Sequence, residues 1–153
     1  MANNEGEFLT FLLAKEEYGI EILKVREIIG LMDITTVPQT PDYVKGVINL
    51  RGKVITVIDL RLKFSMPEAV YTQETCIIVV EVGNALVGIV VDSVSEVLHI
   101  NSSEIEKAPK FGQAIDTEFI LGLGKAKGKI VILLDIEKVL SFEELEMVEQ
   151  ISS

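Results

Sequence analysis

Short apolar runs separated by brief polar turns occupy most of the chain. Phe8-Leu-Thr-Phe-Leu-Leu13, the turn Ala14-Lys-Glu-Glu17 and Tyr18-Gly-Ile-Glu-Ile22 predict a β-hairpin. Ile77 to Val82, the turn Gly83-Asn-Ala85 and Leu86 to Val91 predict a second. Val25 to Ile29 and Val94 to Leu98 alternate apolar and polar positions weakly, as half-exposed strands do, with helix an open alternative. Val54 to Ile58 and Ile130 to Leu134 are nearly continuous β-formers, which predicts central strands covered on both faces. Pro38 and Pro41 stiffen the loop Thr36 to Asp42, and Ser65-Met-Pro-Glu68 begins a crossing between halves. Ser141-Phe-Glu-Glu144 is a capping box, with Leu140 placed to staple onto Leu145, so residues 141–151 are expected to form a short C-terminal helix. Residues 1–7 are expected to be flexible.

The same pattern occurs twice. Gly46-Val-Ile-Asn-Leu-Arg-Gly-Lys-Val-Ile-Thr-Val-Ile-Asp-Leu-Arg61 returns as Gly122-Leu-Gly-Lys-Ala-Lys-Gly-Lys-Ile-Val-Ile-Leu-Leu-Asp-Ile-Glu137, so Gly46, Gly52, Lys53 and Asp59 match Gly122, Gly128, Lys129 and Asp135. Upstream, Tyr18 to Ile28 matches Val87 to Val97 at a shorter offset. Two copies are too few for a solenoid and indicate two similar modules facing each other, with blocks 8–64 and 76–140 as the repeat. Each block holds about five short strands, enough to close a small barrel and remove exposed sheet edges.

Composition narrows the functions. The chain has 153 residues, 48% of them hydrophobic, enough for a real core. Its net charge of −10 repels phosphate backbones and anionic lipid, so nucleic-acid binding is not expected. The apolar runs are strand-length, so direct membrane insertion is not expected either. Met1 to Glu7 lacks the basic and apolar regions of a secretory signal, which predicts a cytoplasmic protein. The lone Cys76, within an apolar run, reads as a small packed hydrophobe.

Enzyme signatures are weak. The single His99 gives a His-based triad or multi-His metal site little to build on, and no metal or cofactor is expected. Asp59 and Asp135 end equivalent apolar strands, a position suited to capping. Gly122-Leu-Gly-Lys-Ala-Lys-Gly128 precedes a strand, unlike a phosphate loop, and reads as a hairpin turn. An alternative reading keeps Asp59, Asp135 and Arg61 as the polar groups of a small β-barrel enzyme or ligand-binding protein.

Glu17-Tyr-Gly-Ile-Glu-Ile-Leu-Lys-Val-Arg-Glu-Ile28, Gly46-Val-Ile-Asn-Leu-Arg-Gly52 with Val57-Ile-Asp-Leu-Arg61, and Val87-Gly-Ile-Val-Val-Asp92 recur in order and spacing. On these motifs the chain resembles, along nearly its whole length, the CheW family of bacterial chemotaxis adaptors. The resemblance implies an all-β domain over residues 8–153, made of two five-stranded SH3-like β-barrels. It also implies a non-enzymatic role, coupling membrane chemoreceptors to the regulatory domain of the histidine kinase CheA in receptor arrays. Val25, Glu27, Ile28, Arg51, Val94 and Val97 match positions that meet the receptor's cytoplasmic helical hairpin tip. Short aliphatic residues from both repeats suit the apolar stripe of a helix, and the planar Arg51 fork suits a carboxylate or carbonyls. Val44 and Val47, and on the second module Glu106, Lys107 and Phe111, match surfaces that contact the kinase. Arg51→Ala and Val25→Glu are expected to weaken receptor binding with little change in thermal stability.

Overall fold

The computed structural model describes residues 6–107 and 119–139; the expected helix over 141–151, and Phe111, lie outside them. Eleven strands run in chain order as β1 (Gly6–Leu13), β2 (Glu16–Glu21), β3 (Val25–Gly30), β4 (Val44–Leu50), β5 (Lys53–Asp59), β6 (Cys76–Val82), β7 (Ala85–Val91), β8 (Ser93–Ile100), β9 (Ile105–Glu106), β10 (Ile120–Ala126) and β11 (Lys129–Leu134). Two single-turn helices, α1 (Leu60–Lys63) and α2 (Ile136–Val139), follow β5 and β11. Both hairpins and all the strands anticipated from the apolar pattern are present, and Val25 to Ile29 and Val94 to Leu98 are strands. β1 begins at Gly6, inside the segment expected to be flexible.

The strands form two sheets, ordered β3-β6-β7-β5-β4 and β8-β1-β2-β11-β10-β9. They give the two duplicated SH3-like barrels. The extra strand β9 pairs with Leu123 and Gly124 of β10, where the first repeat makes only the isolated bridge Thr35–Val47. Bulges also repeat, between Val44 and Gly46 and between Ile120 and Gly122. At the first bulge Gly46 has φ +143, and a Cβ there would lie 2.0 Å from the Thr35 carbonyl oxygen, so only glycine fits.

The barrels do not follow the sequence halves. Residues 25–91 make one barrel without interruption, whereas the other joins the N-terminal hairpin β1–β2 to β8–β11. Parallel pairing of β5 with β7 and of β11 with β2 stitches the two repeats together inside each sheet. The expectation that each repeat closes its own barrel is therefore corrected: the repeats exchange hairpins. A hairpin satisfies its own backbone along one edge only, so its outer edge accepts either repeat's central strand, and tertiary packing chooses.

Packing shows what the exchange achieves. Each barrel has its own small core, one around Ile48, Ile55, Val57, Ile77, Val79 and Val90, the other around Phe8, Leu98, Ile100, Val131 and Leu133. The largest cluster belongs to both barrels and includes Leu9, Phe11, Tyr18, Ile58, Leu60, Ile78, Val87, Ile89 and Leu134. Stacked rings run through it from Phe11 to Tyr18 to Phe64 to Phe119, with centroids 6.1, 6.3 and 6.1 Å apart. A shared core of this size makes the two barrels one folding unit.

The chain crosses between sheets at the short 3-10 turn Ile22–Lys24 and at Asp92, and an ion pair pins each crossing. Asp92 accepts two hydrogen bonds from Arg61, at 2.8 and 2.6 Å, and one from the Ala14 amide at 3.0 Å. Lys24 donates to Glu137, the repeat counterpart of Arg61, so the same device recurs with its charges reversed.

Candidate functional site

At the β4–β5 turn, Arg51 and Gly52 have φ of 52° and 85°; at the β10–β11 turn, Lys127 and Gly128 have 53° and 74°. Two consecutive left-handed residues make the tight two-residue hairpin turn whose twist matches its strands. The Asn49 side chain accepts the Gly52 amide at 2.8 Å and fixes the first turn. Each turn therefore holds a long cationic side chain at a barrel tip.

Those side chains close the barrel seams. β3 and β4 are opposite edges of one sheet, and the Arg51 fork donates two hydrogen bonds to Glu27 on β3, the longer at 3.3 Å. Hydrogen bonding to Arg51 holds the Glu27 carboxyl below the usual range. In the second barrel Lys127 donates to Glu96 on edge strand β8 at 2.8 Å, with the same effect on Glu96. Arg51 and Lys127 remain exposed, so both pairs face solvent.

Beside each glutamate stands an exposed aliphatic side chain, Ile28 (43% exposed) and Val97 (47%). Val25 and Val94, the other two aliphatics expected at the receptor groove, are half-buried and pack against the shared core. The expectation that Val25→Glu leaves stability untouched is thus corrected. A second repeat-related pair went unnoticed in the sequence: Val54 and Ile130 are exposed at the starts of β5 and β11. Their strands are interior as expected, yet each begins with two exposed residues, so the cover on both faces applies only beyond Val54 and Ile130. The Gly-Lys pair preceding each was the available signal, since it marks the turn from which the strand emerges.

The positions expected at the kinase divide similarly. Val44 is 6% exposed and sits in the shared core, so it offers no surface, which corrects its assignment as a contact residue. Val47 is half-buried and exchanges two 2.8 Å backbone hydrogen bonds with Thr35. Glu106 and Lys107 are exposed at β9, where Glu106 pairs with Lys125.

The alternative polar set does not converge. Asp59, 2% exposed, caps α1 by accepting the Arg61 and Leu62 amides at 2.9 and 3.4 Å, and accepts the Tyr71 hydroxyl at 2.8 Å. Burial, with that carboxylate beside it, pushes the Tyr71 phenol far up. Asp135 accepts the Glu137 amide at the start of α2, at 3.1 Å. Arg61 is committed to Asp92. A cavity of about 150 Å³ touches Asp59, Arg61, Tyr71 and Asp92 but not Asp135. The larger hollow, about 500 Å³, opens at the tip of the first barrel next to Arg51 and Glu27.

Comparison with known proteins finds relatives along most of the chain. A family model described as CheW-like domain matches residues 7–144. A chemotaxis protein CheW of Klebsiella aerogenes is 47% identical over 146 residues, covering 95% of this chain and 88% of that protein. A chemotaxis protein CheW of Thermotoga maritima is 33% identical over 153 residues, covering 97% and 95%. The crystal structure of the scaffolding protein TtCheW from Thermoanaerobacter tengcongensis superposes with a TM-score of 0.83 at 35% identity, covering 92% of this chain and 95% of that one.

Proposed function

The chain belongs to the CheW-like family of chemotaxis scaffold proteins, which are adaptors and not enzymes, and we propose that it couples chemoreceptors to the histidine kinase CheA. On this reading the helical hairpin tip of a receptor lies against edge strands β3 and β8, meeting Ile28, Val97, Glu27 and Arg51. Val25 and Val94 act from beneath by setting the position of those strands. The kinase regulatory domain meets the surface around Val47 and, on the second barrel, Glu106, Lys107 and Phe111. No described helix is long and apolar enough to cross a membrane, and a place in the cytoplasm at receptor arrays follows from the receptor contact.

One observation carries the proposal: on both edge strands, an aliphatic side chain stands in solvent immediately after a glutamate whose carboxylate is fixed by a cation from a tight turn. Exposed aliphatics at repeat-related sites do nothing for either barrel's core, whereas a partner helix would bury them. Titration with a receptor cytoplasmic fragment tests this. Ile28→Glu and Val97→Glu are expected to weaken binding at least about tenfold, as loss of central interface contacts does, with an unchanged melt. Wild-type affinity in both variants would refute the assignment of this face.

A further inference from the structure

The two barrels differ at their mouths in how one repeat-related lysine is paired. In the second barrel Lys129 lies 3.2 Å from Glu17 Oε2, and Glu17 is nearly enclosed. In the first barrel the repeat counterpart of Lys129 is Lys53, and that of Glu17 is Leu86. The acid that answers the lysine in one barrel is an apolar side chain in the other. Lys53 is exposed and has no ion-pair partner among the described residues.

Leu86 lines the hollow of about 500 Å³ at this mouth, a volume within the usual range for ligand pockets. Its floor is apolar, made by Leu50, Ile55, Val79 and Leu86. Its rim carries the ion pairs Arg26–Glu81 and Arg51–Glu27, together with the unanswered Lys53. Three cations against two carboxylates give the rim a positive excess on a chain whose net charge is −10.

We propose that the mouth of the first barrel is a side-chain pocket for an acidic segment of the receptor helix. One apolar side chain enters the hollow onto Ile55, Val79 and Leu86, and a neighbouring carboxylate binds Lys53, taking the place that Glu17 holds for Lys129 in the other barrel. Glu27 and Arg51 line the pocket and Ile28 follows Glu27 on β3, so the pocket lies next to the edge-strand face. In the second barrel Lys129 already has its acid in Glu17. The inference rests on the reading that the Arg51 face meets the receptor.

The test titrates the full chain with a receptor cytoplasmic fragment, following the methyl resonances of Ile55, Val79 and Leu86. Lys53→Gln, at an exposed site, is expected to lower affinity about fivefold and to reduce its salt dependence. Leu86→Glu, which supplies Lys53 with an internal partner, is expected to lower affinity about tenfold. Both effects, with the three methyl groups shifting on binding in the wild type, would support the pocket. If Arg51→Ala and Ile28→Glu weaken binding while Lys53→Gln binds as the wild type and the methyl groups do not move, the pocket is overturned and the receptor reading stands. If Arg51→Ala and Ile28→Glu also bind normally, both are overturned.

Discussion

Among the described residues Lys53 ends at the rim of one barrel with no acid to meet it, whereas Lys129, at the same place in the other, reaches the nearly buried Glu17. The barrels otherwise share bulges, tight turns, capped single-turn helices and a cation–glutamate pair across the seam. Duplication thus preserved what a closed small barrel needs and released what it does not. In the second barrel the lysine that opens β11 meets an acid from its own fold. The barrel that leaves one unanswered beside an open hollow is the better placed to receive a partner.

The largest break in this comparison is expected at the bulges. Gly46→Ala puts a Cβ against the Thr35 carbonyl oxygen in a left-handed backbone conformation, and should cost about 3 kcal/mol or more. Gly122→Ala meets the Ile105 methyl at 2.7 Å and the Glu106 carbonyl oxygen at 2.8 Å without that backbone strain, so a smaller loss is expected. Urea denaturation of the two variants ranks them; equal losses would show that the bulges are equivalent after all.

Next come the helix caps. Asp59 serves two amides and the Tyr71 hydroxyl, whereas Asp135 serves the Glu137 amide, so Asp59→Ala should cost about 2 kcal/mol and Asp135→Ala about 1 kcal/mol. The reverse order in thermal melts would mean that the Tyr71 contact contributes nothing.

The crossing at Asp92 gives a pH dependence. Hydrogen bonding to Arg61, aided by the Ala14 amide, outweighs burial and holds the Asp92 carboxyl below its ordinary value. A carboxyl with a depressed folded pKa contributes stability that is complete above its unfolded pKa and is lost as pH falls through the folded one. Asp92→Asn should therefore lower stability at neutral pH and flatten the acid side of the stability profile. An unchanged acid limb would show that Asp92 does not act in this way.

The smallest effects on stability belong to the tip pairs. Arg51→Ala and Lys127→Ala break solvent-facing ion pairs and should leave the melt unchanged. They are separated by binding: Arg51→Ala is expected to weaken the receptor complex more than Lys127→Ala, because only Arg51 borders the open mouth. Equal losses would make the two tips interchangeable and remove the distinction between the barrels.

Much of this architecture is legible along the chain. Tyr18 to Ile22 and Leu86 to Val91 show their strands because apolar runs of that length between turn residues have few other uses. Arg51 and Lys127 show their turns because a glycine follows each. The site was legible only in part. Ile28 and Val25 look alike in sequence, both short and aliphatic on one strand, and only packing puts one in solvent and the other against the core. Val44 was misread for the same reason. Val54 hid its exposure inside a run that is otherwise buried.

The sequence by itself determined the duplication, the strands with their tight turns and caps, and the chemistry of the paired tips, because these depend on residues close in the chain. Only the tertiary structure decided which hairpin enters which barrel, which aliphatics face solvent and which lysine is answered. Those outcomes depend on partners far along the chain, Tyr18 beside Ile132, Val87 beside Thr56 and Glu17 beside Lys129, chosen because exchanging hairpins builds one large apolar core between the barrels.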